Sequence, residues 1–230
     1  MTTTLEPTTR IEPALGLLTR VCLVAAPGLV LAAHLVQASP PAHDTASELA
    51  SIAAAQVRYQ VAGVLGFAAM VLFVPAFLGL AGLVRRRHPR VAVVGLAMSL
   101  TGLLALTSLM GSSPVSLALA RASDRSAMVA VTDAYESLPL TTVWALLMLL
   151  GWSLGPIVLG VGLWRSGGSP LVPILLVAGL VVQFLDAGRW PLALGFALTT
   201  AGFAVVALTR FDSLPTDPGA GARIGRTDRG

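Results

Sequence analysis

The 230-residue chain contains neither lysine nor asparagine and has a single cysteine, Cys22. One cysteine excludes a disulfide bond within the chain and excludes the CxxC redox motif. All fifteen basic residues are arginine. Charge chemistry does not require arginine at every surface position, so this usage is typical of a GC-rich genome and points to no particular site.

Charged residues are also scarce, at 11% of the chain, whereas hydrophobic residues make up 55% and the mean hydropathy is +0.82. A soluble domain carries roughly 25% charged residues, so this chain has too few to cover a globule of its length. The isoelectric point near 10.5 is compatible with nucleic-acid binding, but the arginines stand at the ends of apolar runs, which is typical of membrane proteins. We therefore expect an all-α, polytopic membrane bundle with no nucleic-acid partner.

Six apolar runs predict six transmembrane helices, because roughly 20 apolar residues span a bilayer core about 30 Å thick. They occupy residues 14–37, 61–84, 91–110, 138–164, 171–185 and 190–209. Residues 1–13 are expected to form a cytoplasmic tail, and residues 210–230, which have no apolar period, a disordered cytoplasmic tail. The first run has a second interpretation as a signal peptide, because Val36-Gln37-Ala38 resembles a cleavage site. Its length exceeds the roughly 7–15 apolar residues of such a signal, which favours an uncleaved span.

The arginines orient the predicted bundle. With the N-terminus in the cytoplasm, eleven arginines and five acids lie inside, for a net charge of +6, and four arginines and six acids lie outside, for −2. Cytoplasmic segments carry the excess of basic residues in membrane proteins. We therefore predict a multi-pass protein of the plasma (inner) membrane with both termini in the cytoplasm and the lipid bilayer as its surroundings.

Two connections on the outer side are long enough to fold. Thr45-Ala46-Ser47-Glu48 matches a capping box and predicts a short helix, which can run straight into the second span. Ser113-Pro114 resembles an N-cap followed by proline at the first helical position. The stretch up to residue 137 then predicts one or two helices on the outer surface.

Proline and glycine positions predict the packing of the spans. Pro27, Pro75 and Pro156 lie inside spans and bend them. Such breaks can line a cavity, although a packing kink is the simpler interpretation. Gly151 and Gly155 have the GxxxG spacing that permits close helix approach, within one chain or between two. An offset of 81 residues aligns Pro75 with Pro156 and is compatible with an internal repeat of helix hairpins.

Polar residues near the outer ends of the spans form the candidate site, since ionisable groups inside a membrane are functional candidates by default. They predict a polar pocket at the outer face and are His34, Arg58, Tyr59, Gln183, Asp186 and Arg189. In the simpler alternative Asp186 and Arg189 pair across their turn, and His34 and Tyr59 lie at the membrane interface. At the inner face, anionic lipid head groups are candidate ligands of Arg85, Arg86, Arg87 and Arg90. The simpler alternative is that these four residues only determine the topology.

Enzymatic motifs are missing from the sequence. It has no HExxH, GxSxG or P-loop pattern, and a haem held between spans needs facing histidines, of which only His34 qualifies. We therefore expect no metal or cofactor, and a non-enzymatic accessory or binding component that recognises lipid, another membrane protein or a second copy of itself. One alternative is a small-solute or lipid permease with an outward-facing pocket. Another is an outer-leaflet enzyme with His34 and Asp186 as acid/base groups.

The layout also carries a family resemblance. It rests on the acidic segment after the first span, on the long second span with its basic stop, and on Gly155-Pro156 and Gly160-Val161-Gly162-Leu163-Trp164-Arg165-Ser166 before a proline-opened fifth helix. In these features, which cover most of residues 14–209, the chain resembles a bacterial family of six-helix integral membrane proteins of unknown function, frequent in actinobacteria. The family has no established catalytic residues, so the resemblance implies a fold and no site.

Overall fold

The computed structural model describes residues 11–37, 44–110, 113–121, 124–185 and 189–208. This part of the chain contains no strand and forms nine helices: α1 (Ile11–Gln37), α2 (Thr45–Ala54), α3 (Gln56–Arg85), α4 (Pro89–Met110), α5 (Ser113–Arg121), α6 (Arg125–Glu136), α7 (Pro139–Arg165), α8 (Leu171–Phe184) and α9 (Arg189–Leu208). Five of them, α1, α3, α4, α7 and α9, are long and apolar enough to cross a membrane. The expected all-α membrane bundle is confirmed at this level. Most of the two predicted tails, at residues 1–10 and 209–230, lies outside the described residues.

The predicted fifth span corresponds to α8, the shortest of the six helices at the predicted spans. α8 has 14 residues, or about 21 Å at roughly 1.5 Å per residue, against a bilayer core about 30 Å thick. Pro170 stands at its N-cap, and Leu185 leaves helical geometry at its other end. The two hairpins that the 81-residue offset aligns, α3–α4 and α7–α8, therefore differ, since α4 has 22 residues. Five helices meet the length criterion, and a sixth span stays a prediction.

Six helices close into a ring around the centre of the molecule. In the order α1, α3, α4, α7, α8, α9, each packs against the next, and α9 packs against α1. Across the ring, α3 also contacts α7. We call the end at which α3 and α7 begin the capped end, because α2, α5 and α6 lie there, and the opposite end, with Arg85 and Arg165, the basic end.

The α4–α7 contact depends on small residues. A Cβ atom added at Gly151 would lie 2.5 Å from the backbone of Gly102, and one added at Gly155 would lie 2.5 Å from the backbone of Ser99. Ser99 is fully buried, and its hydroxyl donates to the Gly95 carbonyl at 2.8 Å. The GxxxG spacing that sequence left open between one chain and two thus lies against α4 of the same chain.

Four aromatic rings fill the middle of the ring of helices. We call them the aromatic cluster: Phe73, Phe77, Trp152 and Phe203. The centroids of Phe73 and Phe77 lie 5.2 Å apart, and those of Phe77 and Phe203 lie 6.3 Å apart. The three phenylalanines are at most 2% exposed. Offset and edge-on ring pairs of this kind add packing energy beyond the area that they bury.

The capped end carries three short helices: α2, which was expected from Thr45, and α5 and α6 in the stretch where one or two were expected. α2, α5 and α6 pack around Leu49, Ile52 and Ala120. The Thr45 hydroxyl donates to Asp133 Oδ1 at 2.6 Å and so joins α2 to α6. These helices form a small folded unit with its own apolar centre.

The start of α2 differs from the predicted capping box by one residue. Asp44 is the N-cap, its carboxylate accepts from the Ser47 N–H at 2.7 Å, and the Ser47 hydroxyl closes the box. Thr45 does not take the N-cap position because its hydroxyl bonds to Asp133 instead. Nor does α2 run straight into α3, since Ala55 breaks the helix with φ −123° and ψ 36°. α3 itself begins at Gln56, five residues before the predicted span.

Candidate functional site: a cavity inside the helix ring

A cavity of about 380 Å³ lies inside the ring toward the capped end. This volume is at the lower end of the roughly 300–1,000 Å³ of small-molecule sites. All six ring helices contribute to its wall, α7 through residues near its midpoint and the others through residues in the half nearer the capped end. The wall includes His34 from α1, Tyr59 and Gly63 from α3, Trp152 and Ser153 from α7, Gln183 from α8 and Phe196 from α9.

Three of the six predicted site residues line this cavity. His34, Tyr59 and Gln183 come from three different helices and are far apart in sequence. Arg58 is exposed and is not part of the wall. Successive helical side chains differ by about 100° in direction, so a position next to Tyr59 faces elsewhere.

The other two predicted residues cannot be placed. Asp186 and the side chain of Arg189 lie outside the described residues, although the backbone of Arg189 begins α9. Neither the expected pair of these two residues nor the distance from His34 to Asp186 is therefore described. The acid/base role suggested for His34 and Asp186 stays a prediction.

His34 is held by a hydrogen bond to its own helix. Its Nδ1 lies 3.2 Å from the Val30 carbonyl oxygen, which can only accept. In the neutral ring Nδ1 therefore carries the hydrogen, and Nε2 is an acceptor. The imidazole packs against Phe196 with ring centroids 4.4 Å apart. These contacts restrict the rotation of the ring.

Gln183 takes part in a chain of hydrogen bonds between α8 and α9. Its Nε2 donates to the Thr199 hydroxyl at 3.4 Å, and that hydroxyl donates to the Gly195 carbonyl at 3.0 Å. Gly179 and Gly195 permit this close approach, because a Cβ added at either would lie 2.7 Å from the carbonyl oxygen of the other. This bond uses one of the two N–H groups of Nε2, so Gln183 also has a second N–H donor and the acceptor Oε1.

Toward the basic end a second, smaller cavity of about 40 Å³ lies among the rings of the aromatic cluster and shares Trp152, Ser153 and Gln183 with the wall of the first. Pro27 and Pro156 line this second cavity, whereas Pro75 does not. Each proline removes one backbone hydrogen bond and bends its helix. The cavity thus ends on a floor of aromatic side chains beside two bent helices.

The wall of the cavity extends less far toward the capped end at α8 than at α7. α7 has 27 residues and α8 has 14, and a short turn at the basic end joins them. Counted from that turn, α7 extends about 20 Å beyond the end of α8. Leu140, Val143 and Leu146 on this part of α7 are at least half exposed. α8 therefore encloses less of the ring near the capped end than α7 does.

Sequence reasoning missed the apolar part of this site. Trp152 packs on Phe73 and also lines the cavity. Phe196 and Ser153 were not singled out. No sequence signal marks them, because apolar residues inside a span have the same appearance whether they face lipid, core or cavity.

The basic end carries a cluster of exposed arginines. Arg85, Arg86, Arg87 and Arg90 are all exposed, as a lipid-contacting or topology-determining cluster must be. Within the described ranges, no three His, Cys, Asp or Glu side chains lie close enough together to hold a metal ion.

Comparison with known proteins adds no family. No family model matches this chain, and no curated protein or solved structure is significantly similar to it. The resemblance to an actinobacterial membrane family therefore stays a prediction, and function has to be argued from the cavity.

Proposed function

We propose that this protein is a non-enzymatic membrane binding protein that holds a lipid-like amphiphile in the cavity of its helix ring. One observation carries the proposal. The cavity has His34, Tyr59 and Gln183 on its wall and ends on the apolar aromatic cluster. A pocket that is mostly apolar with a few convergent polar groups is the usual form of a small-molecule site. In this cavity the polar residues lie toward one end and the aromatic residues toward the other, which matches the polar head and apolar chain of an amphiphile.

We further propose six crossings of the plasma membrane with both termini in the cytoplasm, so that the capped end faces outward. The eleven-to-four distribution of arginine supports this orientation. The antiparallel packing of α8 and α9, in which Gly179 contacts Thr199 and Gly195 contacts Gln183, supports a return of α9 to the basic end. A helix as short as α8 can cross where the bilayer thins locally.

On this orientation the ligand comes from the outer leaflet. The side between α7 and α8 is the proposed route, because the exposed residues along it, Leu140, Val143 and Leu146, are apolar and compatible with lipid. A lipid chain can then pass sideways from the bilayer into the cavity without crossing water.

Filling the cavity tests the proposal. A Cβ added at Gly63, which lines the cavity, meets no atom within 4 Å, so Gly63→Leu places its side chain in the empty space. Gly82→Leu is the matched control, since a Cβ there also meets nothing and Gly82 is exposed away from the cavity. The unmodified protein and Gly82→Leu are expected to retain extracted lipid at near one molecule per chain by native mass spectrometry, and Gly63→Leu to retain little. Equal retention by all three contradicts the proposal.

A permease is the second candidate, and the observation that favours it is the position of Pro27 and Pro156 beside the aromatic floor. Movement of these bent helices can displace the aromatic floor, so that the cavity opens alternately to each side of the membrane. Cys22 is buried, so Cys22→Ser provides a background in which Ser153→Cys reports access to the cavity. A binding protein predicts labelling by a membrane-impermeant maleimide from the capped end only. Labelling from both ends favours the permease.

A further inference from the structure

We infer that the cavity selects an uncharged amphiphile whose head group donates hydrogen bonds, of the class of long-chain alcohols and monoacylglycerols. This inference rests on the proposed binding function and names its ligand. It follows from three properties of the wall: the charge that it lacks, the hydrogen-bonding groups that it presents, and the order in which polar and apolar residues occur along it.

The first property is charge. Among the described residues that line the cavity there is no aspartate, glutamate or arginine, and His34 and Tyr59 are the only titratable ones. Arg58, which directly precedes Tyr59 in the sequence, is exposed and lies outside the wall. A phosphate, carboxylate or ammonium head placed among these described residues would lose its hydration without gaining a counter-charge from any of them, which is costly in an apolar surrounding. The described part of the wall therefore favours a neutral head group.

The second property is which hydrogen-bond donors and acceptors the wall offers to a ligand. His34 Nδ1 is committed to the Val30 carbonyl, which leaves Nε2 as an acceptor. Gln183 Nε2 uses one of its two N–H groups on Thr199, which leaves the other N–H as a donor and Oε1 as an acceptor. Tyr59 can both donate and accept. His34 Nε2 needs a donor, whereas Gln183 and Tyr59 can each donate or accept. A hydroxyl head, which does both, therefore satisfies all three residues, whereas an ester or ketone, which only accepts, leaves His34 Nε2 unmatched.

The third property is the order of the lining. His34 and Tyr59 lie in the half of their helices nearer the capped end, whereas Phe73, Phe77 and Phe203 close the cavity toward the basic end. Between them the wall includes Met70, Leu106 and Leu149. A ligand is thus oriented with its hydroxyl toward the capped end and its chain toward the aromatic floor. A volume of about 380 Å³ suits one chain better than a two-chain phospholipid.

Trp152 provides the readout, because its ring lies at the junction of the cavity and the aromatic floor. Trp144→Phe, Trp164→Phe and Trp190→Phe together leave it as the only tryptophan of the chain. Bromine quenches indole fluorescence at short range. In nanodiscs of unbrominated lipid, we would titrate this protein with a chain-brominated long-chain alcohol, with the methyl ester of the corresponding acid, and with the sulfate of the alcohol.

The alcohol is expected to quench saturably, and the ester and the sulfate to need about tenfold higher concentration. Equal quenching by all three overturns the head-group inference and leaves the binding function standing. No saturable quenching by any of the three ligands overturns the binding function itself. The comparison uses one folded protein and three ligands, so it does not depend on a variant that fails to fold.

Variants then locate the head group. Gln183→Leu removes Oε1 and the second N–H at similar size and is expected to weaken binding of the alcohol roughly tenfold or less, as the loss of one hydrogen bond does. Binding of the ester should weaken less, because the ester can use only the N–H. Gln60→Leu is the same substitution at an exposed position of α3 outside the cavity, and it should change neither. Equal weakening of alcohol and ester in Gln183→Leu contradicts the assigned contact.

Discussion

The indole of Trp152 packs edge-on against the ring of Phe73, with centroids 4.7 Å apart and planes at 82°. This contact joins α7 to α3 across the helix ring and sets the depth at which the cavity ends. On one side of it lie the polar groups of the wall, and on the other lies packed apolar core. The boundary between the cavity and the apolar core toward the basic end thus depends on Trp152, Phe73 and their neighbours.

We expect Phe73→Ala to destabilise the protein by about 1–3 kcal/mol. This is less than the same change often costs in a soluble core, because the unfolded chain in lipid does not expose the side chain to water. Phe67→Ala is the matched control on the same helix, since Phe67 is 64% exposed and Phe73 is 2% exposed. The difference in unfolding midpoint on titration with a denaturing detergent measures the effect. Equal midpoints for the two variants would show that the aromatic cluster is not a packing centre.

The α4–α7 interface makes a second prediction. Gly151→Ala introduces a Cβ that would collide with the backbone of Gly102, and backbone atoms cannot move aside as a flexible side chain can. A loss of about 2 kcal/mol or more is expected from such overpacking. Gly82→Ala, on an exposed helical position with nothing within 4 Å, should be neutral or slightly stabilising. Thermal unfolding in detergent compares the two, and a stable Gly151→Ala protein would contradict the close packing.

The proposed topology is tested by reporter fusions after Ala42, Arg90 and Gly168. A phosphatase that is active only outside should be active after Ala42 and inactive after Arg90 and Gly168. A fluorescent protein that folds only in the cytoplasm should give the reverse pattern. The physical reason is the arginine bias, which holds the Arg85–Arg90 turn on the cytoplasmic side. Phosphatase activity after Arg90 would invert the orientation and place the cavity toward the cytoplasm.

Asp124 makes a prediction about pH. Its carboxylate accepts from the Ala127 N–H at 3.1 Å and from the Ser126 hydroxyl at 2.8 Å at the start of α6. These bonds, the first foremost, hold the pKa of Asp124 below its ordinary value of 3.8. A lowered pKa means that the cap is fully formed above pH 3.8 and is lost only as the pH falls through the lower, folded value.

The chemical shift of the Ala127 amide checks this pH dependence. It should titrate with a midpoint below 3.8 in the unmodified protein and show no such step in Asp124→Asn, which keeps a cap but has no carboxyl group to titrate. A midpoint at or above 3.8 would contradict the assigned hydrogen bonds.

Several features were predictable from sequence because they are local. The apolar runs between arginine stops predicted α3, α4 and α7 to within a few residues, and the second run fell short only because Gln56–Gln60 is polar yet helical. The capping box of α2 was displaced by one residue, since Thr45 is engaged with Asp133, which is 88 positions away along the chain. A contact of that kind is invisible to a local pattern.

The candidate site was predictable only in its residue types. His34, Tyr59 and Gln183 stood out because polar residues near span ends are few. Arg58 stood out for the same reason and proved to lie outside the cavity wall. Neighbouring helical positions differ by about 100° in direction, so the choice between Arg58 and Tyr59 depends on which helix face turns inward, and the apolar sequence around them does not specify that face.

The sequence by itself determined that the chain is a helical membrane protein, roughly where its helices begin and end, and which end of each carries the basic residues. These properties depend on the length of apolar runs and on charges beside them, which act on one helix at a time. Only the tertiary structure decided that Gly151 packs on Gly102 within one chain, that Trp152 and Phe73 meet, and that three polar residues share a cavity. The reason is physical: in a bundle whose faces are all apolar, helix rotation and neighbour choice are set by the fit of small and aromatic side chains against one another, and that fit exists only when the helices are assembled.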